Sequence, residues 1–214
     1  GELPSMNKKL QAANLHDHPL AKAVLSIPPG HIVYTHRNRG MVEYLSARSV
    51  AGKKHYNLPA DLAGERQAYR AEPVKGRRGV RVLVEGQADA ISLAQMGIEA
   101  VAACGLEPGD LRVEEFSHVA FDNDEKGQPK ALEVALALGP FVRVVTWPKT
   151  LRSASEGKGH VDIKDANDLL KSDITADEVA VLLEDAPTAL RALATKAGKE
   201  KDKDVRKALI NRFF

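Results

Sequence analysis

Cysteine is nearly absent from this 214-residue sequence, which has Cys104 alone, so an internal disulfide and a cysteine-rich zinc site are both excluded. Stability must therefore come from packing, and any metal must be held by oxygen or imidazole ligands. No apolar run approaches the ~18 to 20 residues of a membrane span, and the N-terminus lacks the charged-then-apolar pattern of a secretion signal. A soluble, cytoplasmic protein without membrane partners is expected. Aromatic residues are scarce at 5%, so core packing is the expected role of the single tryptophan, Trp147, although its ring and that of Tyr56 also suit base stacking. The seven histidines show no metal-ligand spacing. The chain opens on Gly1 rather than methionine, as expected of a processed or excised piece that has a neighbouring domain. With 43% hydrophobic and 28% charged residues, it has the composition of an ordinary globular protein, and disordered, collagenous and coiled-coil classes are excluded.

The net charge of +2 conceals an asymmetry. Residues 1–79 hold 13 Lys and Arg against 6 Asp and Glu, whereas residues 80–214 hold 18 against 23. A basic segment before an acidic one suits contact with a polyanion followed by a carboxylate site for a cation. Patterning divides the chain at the same place. From Val80 onward, β-branched runs alternate with helical patterns, the signature of βαβ units and a parallel sheet. Strands are predicted at 80–85, 100–104, 118–122 and 141–147. Helices are predicted at 88–96, 109–116, 129–138 and 167–171, and residues 148–160 read as a polar loop. A Thr-x-x-Glu capping box (Thr175, Glu178) opens a helix at 175–184, and further helical patterns follow at 187–197 and up to Phe214. Before residue 79, short strands at 32–35, 41–47 and 54–58 read as a meander, and Glu72 to Gly79 as a linker. The expected division is 1–79, a small basic mainly-β subdomain; 80–172, an α/β domain; and 173–214, C-terminal helices.

Ligands of a parallel sheet gather beyond the carboxyl ends of its strands. Arg81-Val-Leu-Val-Glu85-Gly86 delivers Glu85 to such an end, with Asp89 four residues on. Val119-Ala-Phe-Asp122-Asn-Asp124 delivers two more carboxylates, which an extended chain would project to one side. A third acidic stretch, Asp162-Ile-Lys164-Asp165-Ala-Asn167-Asp168, opens a helix after the polar loop, and Asp165 or Asn167 suits its N-cap. Converging carboxylates without neutralising Lys or Arg require a hard divalent cation, and Mg²⁺ or Mn²⁺ fits. Capping at a strand-to-helix turn is the competing role for Asp122 and Asp124. An EF-hand reading of residues 122–133 fails because Lys126 stands at a ligand position and a strand precedes the loop. A P-loop reading of residues 47–54 fails because Lys54 stands where Ser or Thr is required.

These motifs resemble a known family. Val82-Leu-Val-Glu85-Gly-Gln-Ala-Asp89-Ala, Phe121-Asp122-Asn-Asp124-Glu-Lys-Gly127 and Lys164-Asp165-Ala-Asn-Asp168-Leu-Leu are similar, in order and spacing, to the Toprim domain of DnaG-type primases and phage primase-helicases. The resemblance covers roughly residues 80 to 172. It implies a Toprim-like parallel sheet flanked by helices, and an enzyme that makes RNA primers on single-stranded DNA from nucleoside triphosphates. It implies that Glu85 assists deprotonation of the attacking hydroxyl and that Asp122 and Asp124 hold the metal, with Asp89 and Asp165 as auxiliary acidic residues. The basic segment resembles the subdomain preceding Toprim, which implies nucleotide or DNA binding by Arg37, Arg48, Lys54, Tyr56 and Asn57, together with Lys164. His55 interrupts the Lys-Tyr-Asn cluster.

Gln87 replaces a bulky aromatic of the cellular primases, and Lys-Asp-Ala-Asn-Asp is closer to the phage version, which implies a phage or mobile-element branch with a replicative helicase as a further partner. With no zinc module in the sequence, template recognition is expected from elsewhere. Two rival functions use the same features: a Toprim nuclease that cuts phosphodiesters, and a non-catalytic module that binds DNA or recruits a helicase.

Overall fold

A computed structural model of the chain describes residues 8, 11, 19–38, 41–52, 55–56, 66–71, 80–111, 116–155 and 159–211. It divides into two compact units, Gly1–Tyr69 and Arg70–Phe214. The expected linker at 72–79 lies outside the described residues. Among the described residues no helix is long and apolar enough to cross a membrane.

The first unit holds helix α1 (Pro19–Ser26) and the strands β1 (His31–Asn38), β2 (Met41–Ser49) and β3 (His55–Tyr56). They pair in the order β1-β2-β3 with antiparallel neighbours, which is the expected meander. Leu45 and Ala47 alternate inward along β2, and Leu45 packs with Ala23 of α1. A register shift at His36/Arg37 marks a bulge in β1, where a strand gains twist. His36 is fully buried between the rings of Tyr44 and Tyr69. Its Nδ1 lies 2.8 Å from the Gln67 carbonyl and its Nε2 2.8 Å from Ser46 Oγ. The carbonyl requires a donor, so Nδ1 carries a proton, and the Ser46 hydroxyl partners Nε2. Burial holds its pKa below the usual 6.5.

The second unit is built on a five-stranded sheet of β4 (Tyr69–Ala71), β5 (Arg81–Val84), β6 (Glu99–Ala102), β7 (His118–Val119) and β8 (Arg143–Val144), in the order β4-β6-β5-β7-β8. The β5–β6, β5–β7 and β7–β8 pairs are parallel, with Leu83 opposite both Val101 and Val119. The central β5 has Val82, Leu83 and Val84 at zero exposure, as a strand covered on both faces requires. Flanking it are α2 (Gln87–Gln95), α3 (Gly127–Leu138) and a 3-10 helix (Ala166–Lys171). A Schellman motif ends α2. Gly97, at φ +77°, donates to Ala94 O, and Ile98 donates to Leu93 O at 3.0 Å.

Three sequence expectations change. Residues 148–160 are no simple loop, because β9 (Thr150–Arg152) and β10 (His160–Asp162) pair there as an antiparallel hairpin. Each has one apolar residue, Leu151 and Val161, facing the other across the register, too short an alternation to stand out from polar surroundings. The strand β4 was unforeseen for the same reason. A helix at 109–116 is not found among the described residues; Pro108–Asp110 form turns, and 112–115 lie outside the description.

The C-terminal part consists of α4 (Ala176–Asp185), α5 (Ala189–Lys199) and α6 (Lys203–Asn211). The Thr175–Glu178 capping box opens α4 as expected. Between α4 and α5 the chain seals the outer sheet edge: Val144 donates to Pro187 O at 2.9 Å, Ala189 to Val142 O at 2.7 Å, and Arg143 bridges to Thr188. An uncovered edge would invite intermolecular pairing.

His118, 5% exposed, fastens β7 to α4 through Nε2, 3.0 Å from Leu183 O. Burial holds its pKa below 6.5. Below that pH the unfolded chain gains a proton that the folded unit resists, so the contribution of His118 is full above about pH 6.5 and declines beneath it. His118→Gln keeps a donor toward Leu183, so the stability of the wild type relative to this variant, read from denaturation midpoints, should fall as pH drops from about 7 to 5. An unchanged slope in that variant would remove His118 from the explanation.

Candidate functional site

Three segments bring carboxylates to the end of the sheet where β5 and β7 terminate. Glu85 follows β5 directly and is exposed. Gly86 then starts α2, whose first turn carries Asp89. Asp89 is only 9% exposed, and its Oδ1 accepts from Asn167 N–H at 3.1 Å. A Cβ on Gly86 would lie 3.2 Å from Asp89 Oδ2. Ser92 Oγ, 3.2 Å from Asn167 Oδ1, adds a second tie between α2 and the 3-10 helix. Burial, then the charge of Asp165, lifts the Asp89 pKa from 3.8 to about 7, with Asp122 adding to the rise.

Asp122 is half-buried beyond β7. Burial first, then the charges of Glu85, Asp165, Asp124 and Asp168, raise its pKa to about 6. Every charge acting on it in this way is a carboxylate. The chain leaves extended geometry before Asp124, so the same-side argument from strand alternation does not apply there. Asp124 is exposed and caps the entry to α3, its Oδ1 accepting from Lys126 N–H at 2.9 Å and Gly127 N–H at 2.6 Å. Those bonds lower its pKa. Gly127 is sterically obligatory, since a Cβ there would stand 2.4 Å from Asp122 O.

In the third segment, Asp165 is the N-cap of the 3-10 helix, its Oδ1 accepting from Asp168 N–H at 2.9 Å. Asp168, buried at 9% exposure, accepts from Lys164 N–H at 3.0 Å and pairs with the Lys171 ammonium. Burial opposes its charge, but Lys171 and the Lys164 amide hold its pKa below the usual range. Asp168 is thus paired directly with a cation, and its side chain is exposed far less than that of Lys164. Sequence reasoning did not single out Asp168 or Asn123. Their signal was a polar residue inside a motif that a buried setting obliges to find partners.

The predicted basic residues divide differently. Arg37 is exposed on β1, and Arg48 is half-buried on β2 opposite Ile32 and His55. Tyr56 lies in β3 opposite Ala47. Lys54 and Asn57 lie outside the described residues.

Among the described residues no three His, Cys, Asp or Glu side chains converge tightly enough to cage a metal ion. Mg²⁺ does not require such a cage, because it keeps several waters and commonly takes one or two carboxylates plus substrate phosphate. The donor set therefore fits it: half-buried Asp122 has carboxylates as its charged neighbours. A cavity of about 110 Å³ also opens beside Glu85, lined by Leu106, Phe121 and Val134, with the Lys130–Glu107 ion pair (2.9 Å) among its walls.

Residues 82–170, which include this acidic edge, match a family described as Toprim-like. The second unit carries this domain with the fold of DnaG-type primases. The chain is similar to the zinc-binding and RNA polymerase domains of Aquifex aeolicus primase, with 18% identity and a TM-score of 0.60 over all of this chain and 61% of that one. It thus spans under two thirds of that primase structure. A DnaG primase catalytic domain bound to ssDNA is similar over 86% of this chain and 69% of that one, with 20% identity and a TM-score of 0.55. No curated protein matches the sequence.

Two variants test this geometry. Gly127→Ala must displace Asp122 backbone, so its melting temperature should drop by an amount worth about 1–3 kcal/mol; an unshifted melt would refute the crowding. For Asp89, the unfolded chain loses its proton near pH 3.8 while the folded carboxyl keeps it to about 7, so stability declines as pH rises across that window. With chelator present, Asp89→Asn should therefore be more stable than wild type, the gain growing by on the order of 1 kcal/mol per pH unit before levelling off. A gain independent of pH would contradict the assignment.

Proposed function

We propose that this chain is the catalytic core of a DNA primase, joining nucleoside triphosphates into RNA primers on single-stranded DNA. The observation that carries the reading is the half-buried Asp122 surrounded by Glu85, Asp165, Asp124 and Asp168 at the strand ends of a Toprim-like domain. Support for the template comes from the similar DnaG catalytic domain whose structure is bound to ssDNA.

In this mechanism Asp122 and Asp124 would hold Mg²⁺ or Mn²⁺, with Asp89 and Asp165 as auxiliary acidic residues. A bound divalent ion supplies neutralisation of phosphoryl charge and a lowered pKa for the attacking hydroxyl. Glu85 takes the proton of the primer 3′-hydroxyl as its oxygen bonds to the α-phosphorus. The bond from that phosphorus to the β-phosphate bridging oxygen breaks, and pyrophosphate leaves. Arg37, Arg48, Lys54, Tyr56, Asn57 and Lys164 bind template and triphosphate, largely through phosphate, so binding weakens steeply with salt. Residues 1–79 supply this basic surface, 80–172 the chemistry and 173–214 the supporting helices. The Lys164-Asp-Ala-Asn-Asp sequence favours a phage or mobile-element setting, with a replicative helicase as partner.

The test is primer synthesis on labelled single-stranded DNA with Mn²⁺, with and without triphosphates. Asp122→Ala should reduce synthesis at least about 100-fold while leaving DNA binding within about twofold. Full synthesis by Asp122→Ala would overturn the site. Shortening of the DNA without triphosphates would identify a nuclease instead, and tight binding with no reaction a non-catalytic module. Arg48→Ala or Lys54→Ala should weaken DNA or triphosphate binding and lower the salt dependence by about one phosphate contact.

A further inference from the structure

Asn123 lies between the two aspartates, yet its carboxamide serves a different set of partners. Its Nδ2 donates to Trp147 O at 2.7 Å, and Trp147 N–H donates back to Oδ1 at 3.0 Å. This reciprocal pair reproduces, with a side chain, the exchange that two antiparallel strand residues make. The same Nδ2 reaches Ile163 O at 3.3 Å, and the Asn123 backbone N–H donates to Lys164 O at 2.6 Å. One residue therefore joins the Asp122–Asp124 turn, the exit of β8 and the segment that leads into Asp165. Gln128 reinforces it, donating to Asp122 O at 3.3 Å and accepting from Thr146 Oγ1 at 2.8 Å. Trp147 is 2% exposed, so the joint is anchored in the core.

We infer that Asn123 is a positioning residue: it fixes the separation of Asp122 from Asp165 and so sets the affinity of this edge for a divalent cation. The inference rests on the metal reading above. Glutamine would be too long and serine too short for the reciprocal pair with Trp147. Aspartate would keep the acceptor for Trp147 N–H but lose both donor bonds, confronting two carbonyls with a charge.

The experiment measures Mn²⁺ affinity of the full chain by electron paramagnetic resonance, together with amide hydrogen exchange across residues 160–168. Asn123→Ala and the size-matched Asn123→Asp should each weaken Mn²⁺ binding by about tenfold or more and speed exchange in that segment. Asn123→Asp keeps the inference testable if the alanine variant does not fold. It also separates placement from charge, because an added carboxylate would tighten Mn²⁺ binding if charge alone mattered. Thr175→Ala is the control: it removes the α4 cap and lowers stability, but should bind Mn²⁺ as wild type does. Wild-type affinity in both Asn123 variants, or an equal loss in Thr175→Ala, overturns the inference alone. A wild-type chain that binds no Mn²⁺ overturns the metal reading and this inference with it.

Discussion

Negative charges held side by side in a half-dry setting repel, and the second unit is organised around tolerating that repulsion. Asp89 and Asp122 resist ionisation first because burial strips them of water and then because neighbouring carboxylates repel them, a repulsion several times stronger outside water than in it. A free chain would relax by moving the groups apart. Here each is tied to a rigid element. Asp89 stands in the first turn of α2, Asp165 caps the 3-10 helix, and Asp122 is gripped by the close approach of Gly127. The strain is supported by β5, whose apolar side chains are wholly buried, and by the Schellman stop that fixes the length of α2. Local rules are thus broken at the edge and obeyed in the core, as expected where function opposes stability.

The chain also separates its electrostatic tasks along its length. Its excess of lysine and arginine falls before residue 80 and its excess of acid after it. An acidic edge by itself would repel nucleic acid and triphosphate, so a polyanionic substrate needs a separate source of positive charge. Within the second unit, Lys171 is engaged by Asp168, and the charges that raise the Asp122 pKa are all carboxylates. The C-terminal helices contribute by closing the β8 edge through Pro187 and Thr188, which keeps the sheet finite.

Much of this was legible in the residues. The run Val82-Leu-Val-Glu85-Gly86 announces a buried parallel strand ending in a carboxylate, Gly97 announces the end of α2, and Thr175-x-x-Glu178 announces α4. Those signals are local and strong. The hairpin of β9 and β10 was not legible, since its strands each bury one apolar residue at most. Strand alternation stops at Val119, where β7 ends, so it does not govern Asp124, whose place is described by turn and capping chemistry instead. Asn123 and His36 show a different limit. Each is a polar side chain whose task is set by partners distant in sequence, Trp147 and Ile163 for one and Gln67 for the other, and no periodicity encodes such a meeting.

The β9–β10 hairpin has one further consequence. Among the described residues its two strands form a sheet of their own. Ile163 N–H on Lys149 O (2.9 Å) ties its base, and Ser153 N–H on Gly159 O (2.9 Å) draws the chain together higher up. Ala154 N–H on Lys171 O (3.0 Å) then fastens it to the end of the 3-10 helix. The register of Leu151 against Val161 is thus closed at both ends. Since Asp165 caps the same 3-10 helix, a load placed on the hairpin is passed to the acidic edge rather than absorbed before it.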